Sequence, residues 1–230
     1  MDKIYVAGTD TGVGKTVLSL LLMQFFFRKG YRPFYLKPLQ TGCANAGDRE
    51  SDAAFVYRHV AQLTGKDPAE SVIYCFRNPK APYFAARDEG REIDLTLMDR
   101  VIREKSLLYS PLILEAAGGL LVPVKEGTLM IDAIKSSGAR VIIAARAGLG
   151  TINHTLLSIE AMLTRGLSPA GIVFLDPEET PPDLIAENME AVARYSGINV
   201  AGVIGRVEDF SRPQLDCYRP LEILFPAGAL

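Results

Sequence analysis

A chain of 230 residues, 48% hydrophobic and 23% charged, is long enough to bury about 70% of its unfolded surface, and it reads as a single domain over residues 1–230. Its 25 Lys and Arg against 27 Asp and Glu leave a net charge of −2, which excludes a generally basic nucleic-acid binder. Two histidines, His59 and His154, exclude a multi-histidine metal site; three scattered cysteines with no C-x-x-C pair argue against a disulfide scaffold and for a reducing, cytoplasmic setting.

In chain order, Lys3 to Ala7 is a β-prone run ending at Gly8. Gly14 to Lys29 is helix-prone and apolar on almost every face, as suits a helix covered on all sides. Its most apolar stretch, Val17 to Phe27, falls well short of the ~20 residues of a membrane span. Tyr31 to Leu36 reads as the next strand, broken by Pro38. Asp52 to Leu63 reads as a helix, Val72 to Phe76 as a strand, and Asn78 to Glu92 as an excursion able to cover a site. Leu95 to Leu108 has helical spacing, Pro111 to Leu114 enters a strand ending at Glu115, and Leu120 to Val124 is a short extended piece. A helix over Leu129 to Lys135 closes near Gly138. Then come a strand (Val141 to Ala145), a helix (Ile152 to Thr164), a strand (Gly171 to Leu175), a helix (Pro182 to Tyr195) and a last strand (Val200 to Ile204). Continuous apolar strands alternating with helices predict an α/β fold, a mostly parallel sheet with helices on both faces. Ligands of such folds sit at the carboxyl ends of the strands.

The first of those ends carries Gly8-Thr9-Asp10-Thr11-Gly12-Val13-Gly14-Lys15-Thr16. Strand before and helix after are the context of a phosphate loop. Glycines let backbone amides close on phosphate oxygens, Lys15 reaches the β- and γ-phosphates, and Thr16 offers a hydroxyl to a magnesium ion. The loop is one residue longer than the standard spacing when counted from Gly8. No Asn-Lys pair exists, which removes switch GTPases; Asp10 stands where partitioning ATPases carry a signature lysine. Lys37, at the end of the second strand and followed by Pro38, is a candidate second cation over a phosphate. Glu115, after Leu112-Ile113-Leu114, is a candidate metal-orienting carboxylate. Asp52, in Ser51-Asp52-Ala53, reads first as a helix N-cap and second as a further metal-shell oxygen. Thr151 reads as the N-cap of the helix that follows Gly148-Leu149-Gly150, and free amides there can receive a carboxylate. His154 reads as a packed or capping residue rather than a base.

Together these motifs resemble dethiobiotin synthetase. The resemblance rests on the Gly8 to Thr16 loop, Lys37-Pro38 with Thr41-Gly42, Ser51-Asp52-Ala53, Glu115 with Gly118-Gly119, and Gly150-Thr151-Ile152-Asn153-His154. Ala81-Pro82 with Ala85-Ala86 is a weaker echo. The resemblance implies a P-loop NTPase-like fold and an ATP-dependent cyclo-ligase of biotin synthesis. In that reaction an amine of 7,8-diaminononanoate takes up CO2 as a carbamate, ATP phosphorylates the carbamate, and the second amine closes the ring of dethiobiotin. It implies Lys15 and Lys37 as the catalytic pair. It places ATP on Gly12, Val13, Gly14, Lys15, Thr16 and Val17, on Asp52, and on Glu115, Ala116, Ala117 and Gly118. The base falls near Leu175, Asp176, Gly205, Arg206 and Val207. Mg2+ sits among Thr16, Asp52 and Glu115, and the diamine substrate on Thr41, Gly150 and Asn153, the last two across a homodimer interface. Neither nucleic acid nor membrane is an expected partner.

Three departures from the family pattern stand out. Ala116 replaces a glycine and costs about 1–2 kcal/mol if that position requires positive φ. Leu175 stands where an asparagine often meets the base, and Gly205 where a proline is expected. The alternative reading is a partner-regulated P-loop ATPase switch, with slow hydrolysis and no need of bicarbonate. An amidotransferase-linked synthetase needs a glutaminase domain that 230 residues cannot hold, and a nucleotide-binding module without turnover leaves Lys37 and Glu115 unemployed.

Overall fold

The computed structural model describes residues 3–226. In chain order the strands are β1 (Lys3–Gly8), β2 (Phe34–Thr41), β3 (Val72–Phe76), β4 (Leu112–Glu115), β5 (Pro123–Lys125), β6 (Thr128–Leu129), β7 (Arg140–Arg146), β8 (Gly171–Leu175) and β9 (Val200–Ile204). The helices are α1 (Lys15–Arg28), α2 (Asp52–His59), α3 (Pro82–Asp88), α4 (Leu95–Leu108), α5 (Met130–Ser137), α6 (Thr151–Leu163), α7 (Pro182–Ser196) and α8 (Arg219–Leu224). Seven strands form one sheet in the order β3-β2-β4-β1-β7-β8-β9, every neighbouring pair parallel. β5 and β6 make a separate antiparallel hairpin.

Alternate residues of each strand feed two cores. Ile4 and Val6, Ile142 and Ala144 face α1, α2 and α8; Tyr5 and Ala7, Val141, Ile143 and Ala145 face α4 to α7. Both faces are dry, so the strands read as unbroken apolar runs. The apolar character of α1 has the same cause. The sheet covers one side, α2 a second, and the C-terminal segment a third: Gln24 donates to the carbonyls of His59 and Phe210, and Tyr218 donates to Gln24 Oε1. Phe26 packs edge-on against Phe225.

Four findings correct the sequence expectations. Pro38 does not break β2, which runs on to Thr41. It stands where the strand changes partners: β2 pairs with β4 through Leu36 and with β3 at Lys37 and from Leu39, so neither ladder uses Pro38. Lys37 is consequently inside a strand rather than at its end. Next, α2 stops at His59, and a separate 3-10 turn covers Ala61–Leu63. Leu129 belongs to the hairpin, and α5 starts at Met130. Finally, a 3-10 turn (Leu215–Tyr218) and α8 follow β9, beyond the last element read from the sequence. Among the described residues no helix is long and apolar enough to cross a membrane.

Candidate active site

β1 delivers the chain into the glycine-rich loop. A Cβ on Gly8 would stand 2.9 Å from both Cδ and Nζ of Lys15, so the bare backbone there lets the lysine fold back across the loop. Lys15 Nζ donates to the Asp10 carbonyl at 2.7 Å, and Thr11 N–H donates to Asp10 Oδ1 at 2.7 Å. Gly14 enters α1 at φ 92° as an N-cap without a side-chain hydrogen bond, which leaves the first helical amides for an anion. The same glycine is pressed by Leu175, whose Cγ would lie 2.6 Å from an added Cβ.

Opposite the loop, β2, β4 and the head of α2 bring one lysine between two carboxylates. Lys37 Nζ lies 2.7 Å from Asp52 Oδ2 and 2.7 Å from Glu115 Oε1, and donates to the Ala116 carbonyl at 3.3 Å. The Thr16 hydroxyl stands 3.0 Å from Asp52 Oδ1 and 2.8 Å from Glu115 Oε1. Lys37 and Glu115 are almost wholly buried; the Asp52 side chain keeps about a third of its exposure. Burial works against the Lys37 charge, but Glu115 and Asp52 outweigh it and hold the ammonium above the usual lysine range. Burial likewise opposes ionisation of Asp52, and the Lys37 ammonium outweighs it, keeping that carboxyl below its usual range. Lys15 has less support: burial first, then the like charge of Lys37, push it down to about 8.

Asp52 is free for this role because it is not the cap. Ser51 is, its Oγ accepting from Ala54 N–H at 3.0 Å, and Asp52 occupies the first turn of α2. Gln40 holds that turn in place, its Oε1 accepting from Asp52 N–H at 3.2 Å. Tyr35 completes the set by donating to Glu115 Oε2 at 2.8 Å. Burial, then Glu115, push its phenol well above the usual range, so it remains a donor. Neither Gln40 nor Tyr35 was among the residues picked from the sequence. For Tyr35 a signal existed, since it lies two residues before Lys37 and therefore on the same strand face.

Between loop and carboxylates runs a cleft of about 650 Å3. Gly12, Gly14 to Val17, Lys37, Thr41, Asp52, Glu115, Ala117 and Gly118 line it, so most of the expected site residues meet there. Pro79 to Pro82 form one wall, as expected of the excursion at 78–92, braced by Lys80 and Asn78 on Asp88. Val13 is buried beneath the loop and Ala116 behind Glu115, where its N–H donates to the Val6 carbonyl. Ala116 is not at positive φ: among the described residues Glu179 is the one non-glycine there, so the strain considered for Ala116 does not arise.

Other expected positions lie elsewhere. Asp176 is buried and caps its own turn, both oxygens accepting from Thr180. Gly205 and Arg206 are exposed and border a separate cavity behind β9, and Val207 packs toward the α1 core. Gly150 and Asn153 are exposed at the head of α6, outside the cleft of this chain. Gly150 at φ 85°, not Thr151, is the N-cap of α6; Thr151 is buried with its hydroxyl against Thr155, and His154 is exposed rather than packed.

The donor set of the cleft, two carboxylates and a hydroxyl, consists of hard oxygens. Among the described residues no cluster of three or more His, Cys, Asp or Glu could cage an ion. A divalent cation held by one or two carboxylates, with phosphate and water completing its shell, fits such a site.

Known proteins resemble this chain over most of its length. A family model described as an AAA domain matches residues 2–214. The ATP-dependent dethiobiotin synthetase BioD of Anaeromyxobacter sp. (strain Fw109-5) is 34% identical over 215 residues, 93% of this chain and 94% of that protein. The biotin biosynthesis bifunctional protein BioCD of Bordetella avium (strain 197N) is 40% identical over 214 residues; the match covers 93% of this chain and 40% of that longer protein. Among solved structures, the cell division ATPase MinD of Pyrococcus furiosus superposes with a TM-score of 0.57 at 12% identity, covering 97% of each chain, which speaks for the fold alone.

Proposed function

The chain belongs to the dethiobiotin synthetase family, and on that premise we propose that it makes dethiobiotin from 7,8-diaminononanoate, CO2 and ATP with the residues of this cleft. One amine adds to CO2 and loses a proton to give a carbamate. A carbamate oxygen attacks the γ-phosphorus of ATP, and ADP leaves. The neighbouring amine attacks the carbonyl carbon of the mixed anhydride and loses a proton; the C–O bond to the phosphoryl group breaks, and phosphate departs carrying the former carbamate oxygen. No protein nucleophile is needed, so the chain's part is positioning and charge neutralisation.

The observation that carries this reading is Lys37, held between Asp52 and Glu115 across the cleft from Lys15 and the amides of α1. A lysine so placed can face the carbamate and the transferring phosphoryl group while Lys15 and Gly12 to Thr16 hold the phosphates. Thr16, Asp52 and Glu115 would hold Mg2+, which supplies charge neutralisation on the phosphate oxygens. Thr41 faces the diamine. The tail carboxylate falls to the first amides of α6 and to Asn153 of a second copy in a homodimer, and the exposed Leu149 beside them fits an interface. The base is assigned to the side of Leu175, Asp176, Gly205, Arg206 and Val207 on the family resemblance, although none of the five lines the cleft, and Leu175 offers it no hydrogen bond.

Phosphate release should be followed with MgATP, diamine and bicarbonate, omitting each in turn. The reading requires that loss of any one abolishes release above background. Hydrolysis indifferent to diamine and bicarbonate would favour the partner-regulated switch instead.

A further inference from the structure

We infer that Tyr35 is a positioning residue that sets which divalent cation the cleft prefers, by allowing Glu115 to present only one of its two carboxylate oxygens. The inference rests on the proposed metal role of Thr16, Asp52 and Glu115. Oε1 of Glu115 faces Thr16 and Lys37 at 2.8 and 2.7 Å, on the cleft side. Oε2 points the other way and accepts from the Tyr35 phenol at 2.8 Å. Tyr35 and Glu115 are both 1% exposed, so no water can replace that donor if the carboxylate turns. The tyrosine is itself anchored: its backbone carbonyl accepts from Ser71 Oγ at 2.6 Å, and that hydroxyl lies 2.8 Å from Tyr57 Oη.

The consequence follows from the coordination habits of the two common hard cations. Ca2+ takes six to eight oxygens and readily accepts a carboxylate through both of them; Mg2+ keeps six ligands in near-octahedral geometry. A glutamate whose second oxygen is tied to a buried phenol is limited to one-oxygen contact, which suits Mg2+ and handicaps Ca2+. The outer partners of ligating groups commonly control metal affinity by 10–100-fold.

The test is Mn2+ binding by the complete protein in the presence of ADP, read from the electron paramagnetic resonance of free Mn2+, with displacement by Mg2+ and by Ca2+. For Tyr35→Phe the concentration of Mg2+ that displaces half the Mn2+ should rise about tenfold relative to wild type, while that of Ca2+ stays level or falls. Equal movement of both cations, or of neither, would overturn the inference and leave the metal site standing. A wild type that binds no Mn2+ with ADP would overturn the metal reading and the role of Tyr35 with it. Should the phenylalanine variant not fold, 3-fluorotyrosine placed at position 35 reports directly. Its 19F resonance should move on addition of Mg2+ with ADP and move differently with Ca2+; the same shift for both cations, or none, would overturn the inference.

Discussion

Lys37, Asp52 and Glu115 are each held by neighbours from a different part of the chain. Lys37 has its protons directed at Asp52, Glu115 and the Ala116 carbonyl. Replacing it with glutamine keeps the length and removes the charge, so Lys37→Gln should lower kcat by about a hundredfold or more while nucleotide still binds. Steady-state kinetics with calorimetric ADP binding checks this, and activity within threefold of wild type would contradict it. Cys43, also on the cleft wall, behaves oppositely. Burial first, then the Cys75 thiol beside it, push its pKa up to about 11. The buried state favours the neutral thiol, so thiolate appears only as pH rises through that value. Alkylation of Cys43 by iodoacetamide at pH 8 should run about a hundredfold slower than that of an ordinary thiol. Peptide mass spectrometry over a time course reads the rate; labelling as fast as a free thiol would contradict the burial argument. Lys15 and Thr16 were legible in the sequence from the spacing of the loop, and Glu115 from its place at the end of a strand; Lys37 was singled out on a strand end that the structure moves on to Thr41, and it reaches the cleft from within β2. Gln40 was not legible, because a polar group that serves a neighbour inside an apolar strand carries no motif; Tyr35 was missed although its place two residues before Lys37 puts it on the same strand face.

At the level of elements, the strands and helices with both faces or one clear face buried were read closely. Val72–Phe76, Leu95–Leu108, Gly171–Leu175 and Val200–Ile204 have the bounds that apolar pattern and flanking breakers imply. Two of the failures share a cause, tertiary context that replaces a local rule. Pro38 is tolerated because the sheet changes ladders there, and Thr151 yields the cap of α6 to Gly150 because its own hydroxyl is buried against Thr155. α8 is short and begins Arg219-Pro220, so it lacked a pattern long enough to read. The junction of loop and α1 allows a sharper test. Gly14→Ala puts a Cβ at φ 92° and 2.6 Å from Leu175 Cγ. The backbone strain alone costs about 1–2 kcal/mol, and the clash displaces the amides that receive phosphate. Thermal melting and ADP calorimetry should show both losses. Leu175→Ala should recover part of them, since it removes the Cγ clash but neither the strain nor the 3.0 Å approach of Leu175 Cβ; purely additive effects would contradict the contact.

For the whole molecule, the cleft contains the phosphate loop, the three oxygen donors and Thr41, while Gly150 and Asn153 open to the outside. Two copies joined through the head of α6 would bring those residues to a neighbour's cleft, and Leu149, 88% exposed, with Leu157, 56% exposed, supplies apolar surface for such a contact. Sedimentation should give about twice the chain mass of 25.1 kDa, and Leu149→Asp should yield a monomer with a raised KM for the diamine. A wild-type monomer with full activity would contradict this.

The central claim, that a carbamate oxygen takes the γ-phosphoryl group in the cleft between Lys15 and Lys37, has a direct isotopic test. With 18O-labelled bicarbonate, unlabelled ATP and diamine in a single turnover, the released phosphate should carry one 18O, because the oxygen that attacks phosphorus leaves with it. Phosphate free of label, its new oxygen drawn from water, would contradict the account.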